Sequence, residues 1–108
     1  MNAQQPVNIV MIEDDEGHAR LIEKNIRRAG IANSLKLFAD GTSGLKYLFE
    51  APDGPFHNGP ALVLLDLNLP DMSGTDILAK IKGDERLHRL PVVAVSYTHL
   101  TLPTILLV

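Results

Sequence analysis

Two short stretches carry the side chains best placed to do chemistry. Glu13-Asp14-Asp15-Glu16 ends the apolar run Val7-Asn8-Ile9-Val10-Met11-Ile12, and Asp66 ends Leu62-Val63-Leu64-Leu65. Helix capping and the helix dipole account for one or two acids after the first run, but not for four. Three carboxylates gathered without a cation repel one another, and some take up protons. A hard divalent cation resolves this. Mg²⁺ accepts near-octahedral oxygen ligands and keeps several waters, so one or two of these carboxylates with a backbone carbonyl make a reasonable site for it. Zn²⁺ would call for His or Cys, and the four histidines are expected to lie away from the acidic loops. With the charge balanced, a carboxylate such as Asp66 can attack a phosphoryl group in line and form an acyl phosphate.

The elements that position these groups follow from hydrophobic periodicity. Val7–Ile12 reads as a buried strand, and a helix follows from about Gly17 to Ala29 with Ala19, Ile22, Ile26 and Ala29 on one face and Gly30 as its stop. Ser34–Ala39 alternates like a partly exposed strand, and Asp40 is a plausible N-cap for a helix carrying Leu45, Leu48 and Phe49. Pro52 to Pro60 reads as a surface loop, with His57 in solvent. Leu62–Leu65, bounded by Gly59-Pro60 and Pro70, suits a strand buried on both faces. A helix from about Ser73 to Lys82 turns Ile77, Leu78 and Ile81 inward, and Pro91–Ala94 opens a fourth strand. This β-α-β-α-β-α-β order calls for a parallel sheet covered on both sides by right-handed crossovers, with ligands beyond the carboxyl ends of the strands.

Composition sets outer limits. The 108 residues fit one domain with a single core, 45% apolar and 21% charged. A formal charge of -3 offers no broad basic surface, so no nucleic-acid contact is expected. Without cysteine there is no disulfide or thiolate metal site. Met1–Pro6 lacks the pattern of a signal peptide, and no stretch reaches the roughly 18 apolar residues of a spanning helix, so the expected compartment is the cytoplasm, with no membrane contact.

Ile9-Val10-Met11-Ile12-Glu13-Asp14-Asp15, then Leu64-Leu65-Asp66-Leu67-Asn68-Leu69-Pro70-Asp71-Met72-Ser73-Gly74, then Leu90-Pro91-Val92-Val93-Ala94 resemble the receiver domain of two-component response regulators. The Pro- and Gly-containing loop before the third strand is similar to stand-alone receivers serving phytochrome-type histidine kinases. The resemblance implies an α/β doubly wound parallel sheet, flavodoxin-like, in the order 2-1-3-4-5. It implies Asp66 as phosphoacceptor, with Glu13, Asp14, Asp66 and the Asn68 backbone carbonyl holding Mg²⁺. The donor it implies is a phosphohistidine on a sensor histidine kinase. Such a domain is a signalling phosphoacceptor rather than an enzyme. Ser96 stands where the family places the hydroxyl that bonds the phosphoryl oxygen. The alternatives are an aspartate-nucleophile phosphohydrolase, which wants a second acid where Asn68 stands, and a receiver fragment that does not signal. A flavin module is disfavoured because Glu13–Glu16 would repel a phosphate.

After Ala94 the family pattern gives a fourth helix, a fifth strand ending in Lys-Pro and a fifth helix, and this sequence does not follow it. The phosphate-binding lysine has no candidate, since Lys80 and Lys82 belong to the third helix and should face away. Val95 to Thr104 resembles instead one reading frame of a transposase-derived sequencing adapter, with Ile105 to Leu107 as a variable index and Val108 as the last codon before a stop. That reading divides the chain into an incomplete receiver, 1–94, and a non-native tail, 95–108, and assigns Ser96 to the adapter. The tail's apolar residues could still form a strand beside strand four. On this hypothesis the natural frame continues past about Ala94. Sequencing the genomic locus checks it: a stop codon after Val108 amid ordinary downstream genes refutes it.

Overall fold

The computed structural model describes residues 7–31, 33–50, 61–97 and 103–107, with side chains through residue 95. The loop expected over Pro52–Pro60, with His57, lies outside the described residues. Eight elements follow in order: β1 (Asn8–Ile12), α1 (Glu16–Arg28), β2 (Leu35–Phe38), α2 (Gly41–Glu50), β3 (Ala61–Asp66), α3 (Gly74–Lys82), β4 (Val92–Tyr97) and β5 (Pro103–Leu107). The sheet has the order β2-β1-β3-β4-β5. β1 pairs in parallel with β2 and β3, and β3 with β4.

The helix starts follow local capping chemistry. Asp15 is the N-cap of α1, where its side chain accepts the His18 N–H at 2.9 Å. Asp40 accepts the Ser43 N–H at 2.7 Å in the first turn of α2, and Ser73 caps α3 by accepting the Thr75 N–H at 3.1 Å. Gly30 ends the α1 region at φ 85°, a conformation that favours glycine. Ala29, expected to face inward, is exposed at the C-cap instead. Arg27 donates to the Ile31 and Asn33 carbonyls at 2.9 and 2.8 Å, tying the end of α1 to the chain that follows.

Right-handed crossovers to β2 on one side of β1 and to β3 and β4 on the other put α1 on one sheet face and α2 and α3 on the opposite face. The principal core lies on the second face, where Val10, Ile12, Val63, Leu65 and Val92 meet Leu48, Ile77 and Ile81. On the α1 face Ile9 and Met11 are buried, whereas Leu62, Leu64 and Val93, in register beside them, are half-buried.

β5 is antiparallel to β4, pairing Val93 with Leu107 and Tyr97 with Pro103. Only residues 98–102 separate the two strands. A parallel crossover needs a dozen or more residues, so five permit only the antiparallel return. β5 therefore joins β4 by an antiparallel return, unlike the crossover-connected fifth strand that the receiver resemblance implies.

The start of α3 sits hard against the end of β3. A Cβ at Gly74 would lie 2.5 Å from Leu67 Cα and 2.6 Å from the Asp66 carbonyl oxygen, both backbone atoms that cannot rotate away. Gly74→Ala is expected to destabilise the chain by about 1–3 kcal/mol through overpacking, read by denaturant unfolding. Wild-type stability in that variant would show that the turn between β3 and α3 yields freely.

Candidate functional site

Strand order reverses at β1 and β3: the chain leaves β1 for one neighbour and later returns to the other side. Their carboxyl ends therefore border the crevice in which open α/β sheets hold ligands. Glu13 and Asp14 follow β1 directly, and Asp66 is the last residue of β3. Glu13 and Asp66 are buried, at 3% and 4% exposure, while Asp14 is exposed. One carboxylate oxygen from each of the three lies within 4.8 Å of the others.

Nearby amides aim at the two buried acids. Glu13 Oε2 accepts the Asp15 N–H at 3.1 Å, and Asp66 Oδ1 accepts the Asn68 N–H at 2.9 Å. These bonds do not offset the crowding of charge. Burial pushes the Glu13 carboxyl up to about 7; the Asp15 N–H pulls the other way, and Asp66 and then Asp14 add to the rise. Asp14 is also raised, first by lost hydration and then by Asp66. A buried acid that keeps its proton near neutrality beside two further carboxylates fits a site for a cation. The donors are all hard carboxylate oxygens, which suit Mg²⁺, Ca²⁺ or Mn²⁺ better than a soft metal.

The other sequence-based candidates fall in different places. Asn68 is beside the cluster, its N–H on Asp66 and its backbone bridged to Ser73. Ser96 follows Val95, the residue in register with Asp66, and its backbone pairs with Thr104; its side chain lies outside the described residues. Lys82 Nζ donates to the Leu90 carbonyl at 3.0 Å, and Lys80 lines a groove of about 720 Å³ between α2 and α3, so both turn away from the acids as expected. The histidine expectation fails at one position. His18 Nδ1 is 3.9 Å from Asp15 Oδ2, because capping brings the first turn of α1 back over the acidic loop.

One contact at the edge of the site has no counterpart in the sequence reading. Asp71, which reads as a turn residue, accepts hydrogen bonds from Gly41 and Thr42 at the start of α2. A separation of thirty residues leaves no local pattern to reveal it.

A family model described as "Response regulator receiver domain" matches residues 9–106. Response regulator Rcp1 of Synechocystis sp. is 34% identical over 96 residues, covering 87% of this chain and 64% of that protein. A receiver-domain crystal structure from Rhodospirillum rubrum is 57% identical with a TM-score of 0.77, covering 86% of this chain and 67% of that one. The bacteriophytochrome response regulator AtBRR is 28% identical with a TM-score of 0.76, covering 90% and 71%. Rcp1 has also been crystallised in an Mn²⁺-bound form. The chain spans 61% and 64% of the lengths of the first two curated relatives it matches. No helix among the described residues is long and apolar enough to cross a membrane.

The Glu13 shift sets a pH dependence. Its folded value, about 7, lies above the ordinary 4.5, so the folded state holds the proton more tightly than the unfolded chain does. Its contribution to stability is complete below 4.5 and is lost as pH rises through about 7. Metal-free unfolding measured across that window should show stability falling with pH, and Glu13→Gln should flatten the slope. Divalent cation should oppose the loss most strongly at the alkaline end, where it no longer competes with a proton.

Proposed function

The chain belongs to the response regulator receiver domain family, and we propose that it accepts a phosphoryl group from a sensor histidine kinase onto Asp66 in a Mg²⁺-dependent step. The observation that carries this reading is the convergence of Glu13, Asp14 and Asp66 at the carboxyl ends of β1 and β3. In the step, an Asp66 carboxylate oxygen attacks phosphorus in line, a P–O bond forms, and the P–N bond to the donor imidazole breaks. The electron pair of that bond returns to the imidazole nitrogen, and Asp66 becomes an acyl phosphate.

Glu13, Asp14, Asp66 and the Asn68 carbonyl would hold the cation, which when bound offsets the negative charge of the carboxylates and the incoming phosphoryl group. Glu13 gives up its proton to take that role. The Asn68 N–H on Asp66 Oδ1 orients the nucleophile and leaves Oδ2 for attack. Ser96, at the carboxyl end of β4, is assigned the hydroxyl that donates to the phosphoryl oxygen. A phytochrome-type kinase is the proposed class of donor, supported by the likeness to AtBRR, and the cytoplasm is the proposed compartment. Mg²⁺ is the proposed native cation, with the Mn²⁺-bound Rcp1 as support for a divalent ion in a relative.

The antiparallel β5 favours a second reading of the output. On that reading residues 1–94 carry the acceptor acids, 95–108 are a tail that does not relay the change, and Ser96, as part of that tail, loses the role given to it above. Acceptance and readout would then be separable in this chain.

Incubation with acetyl phosphate and Mg²⁺, followed by intact-mass analysis, tests the acceptor reading. The expected result is an added mass of one phosphoryl group on the wild-type chain, absent from Asp66→Asn and after chelation. Steady turnover of diverse phosphate esters would favour a phosphohydrolase instead. A folded wild-type chain with no adduct would overturn the assignment.

A further inference from the structure

The turn that leaves Asp66 is held from several directions. Leu67 N–H donates to the Val95 carbonyl at 3.0 Å, and Gly74 N–H donates to the Leu67 carbonyl at 3.2 Å. Inside the turn Asn68 pairs with Ser73 across an antiparallel bridge. The outermost tie leaves the turn altogether. Asp71 Oδ1 accepts the Gly41 N–H at 2.8 Å, and Oδ2 accepts the Thr42 N–H at 2.9 Å and the Thr42 hydroxyl at 2.6 Å. These two amides open α2 and have no partner within their own helix. The side chain of Asp40 already serves this helix through Ser43, so the Asp71 carboxylate is a second cap delivered from a distant loop. Alongside it, Gly41 packs so closely on the turn that a Cβ there would come within 2.5 Å of Met72 Cγ.

We propose that Asp71 is a positioning residue for phosphoryl transfer: by clasping the start of α2 it fixes the backbone of the 67–73 turn and with it the direction of the Asn68 carbonyl. The proposal rests on the receiver reading above, since it concerns the metal site of that reading. Mg²⁺ tolerates little departure from octahedral geometry, so a backbone ligand on a turn is only as well placed as the turn itself. Partners outside the coordination sphere commonly change metal affinity by about 10- to 100-fold when removed, and a tie one step more remote is expected to act less strongly. The three bonds, with the Thr42 hydroxyl foremost, hold the Asp71 carboxyl down to about 2, so the clasp stays ionised at neutral pH. Asp71 and Thr42 are both exposed, so the contact acts on the geometry of the turn more than on the core.

The test is Mg²⁺ titration by calorimetry on the full chain, with the rate of phosphorylation by acetyl phosphate measured at limiting and at saturating Mg²⁺. Asp71→Ala is expected to weaken Mg²⁺ binding by at least about threefold and to slow phosphorylation at limiting Mg²⁺, with the rate recovering at saturation. Thr42→Val, which removes one bond, should shift both in the same direction by less, and it carries the comparison if Asp71→Ala does not fold. Asp40→Ala, which removes a cap from the same helix without touching the turn, should leave Mg²⁺ affinity unchanged. Wild-type affinity in Asp71→Ala, or an equal loss in Asp40→Ala, overturns the clasp while the receiver reading stands. A wild-type chain that takes up neither Mg²⁺ nor a phosphoryl group overturns both.

Discussion

The burial of Glu13 and Asp66 is the constraint on which the rest of the structure depends. An ionised carboxylate taken out of water is strongly disfavoured unless it is hydrogen-bonded and compensated. Here two lie side by side at the ends of strands whose other residues are aliphatic. The fold limits the penalty by placing them at strand ends, where the chain turns and the amides of Asp15 and Asn68 are free of the ladder to donate. What remains uncompensated appears as the proton kept on Glu13. Such a cluster is an electrostatic deficit built into the fold, of the kind a cation would complete.

Holding such a deficit requires rigid surroundings, and close packing of helices on strands supplies them. Gly44 of α2 faces Ile12, the residue before Glu13, with room for no Cβ: the Ile12 Cδ1 and Cγ1 atoms would lie 2.5 and 2.8 Å away. Gly74 packs in the same way on the backbone just after Asp66. The two acid-bearing strand ends are therefore each pressed by a helix through a residue without a side chain. Small displacements of α2 or α3 would transmit directly to the carboxylates, because packed interiors resist compression.

The parallel sheet and the acid cluster were legible from local patterns and a crossover rule, and the strand order from the resemblance to receiver domains. The β3 residues Leu62–Leu65 alternate between the two faces, yet all are aliphatic, which marks a strand covered on both sides. Glu13, Asp14 and Asp66 are brought together by parallel pairing of β1 and β3, which puts both carboxyl ends on the same edge of the sheet. The expectation that the histidines lie away from the acidic loops fails at His18, since the Asp15 cap of α1 holds its ring 3.9 Å from the Asp15 carboxylate. The Asp71 clasp was invisible for a different reason. A Pro-Asp pair explains itself as a turn, and nothing in the residues around Gly41 asks for a second cap when Asp40 is present.

The last strand separates two properties that a receiver ordinarily combines. On the proposed reading, accepting a phosphoryl group uses the ends of β1 and β3, the turn after Asp66 and a cation, with the Ser96 hydroxyl the one group drawn from beyond residue 95. Passing on the change requires a second element whose packing differs between states, since a ligand can shift only an equilibrium that discriminates between them. In this chain β5 returns directly along β4 through five residues, and Leu62, Leu64 and Val93 remain half-buried on the α1 face. Five residues between β4 and β5 are too few for the crossover helix of the receiver pattern. On the proposed reading, acceptance and readout therefore rest on different parts of the chain, the first on the ends of β1 and β3 and the second on elements past β4.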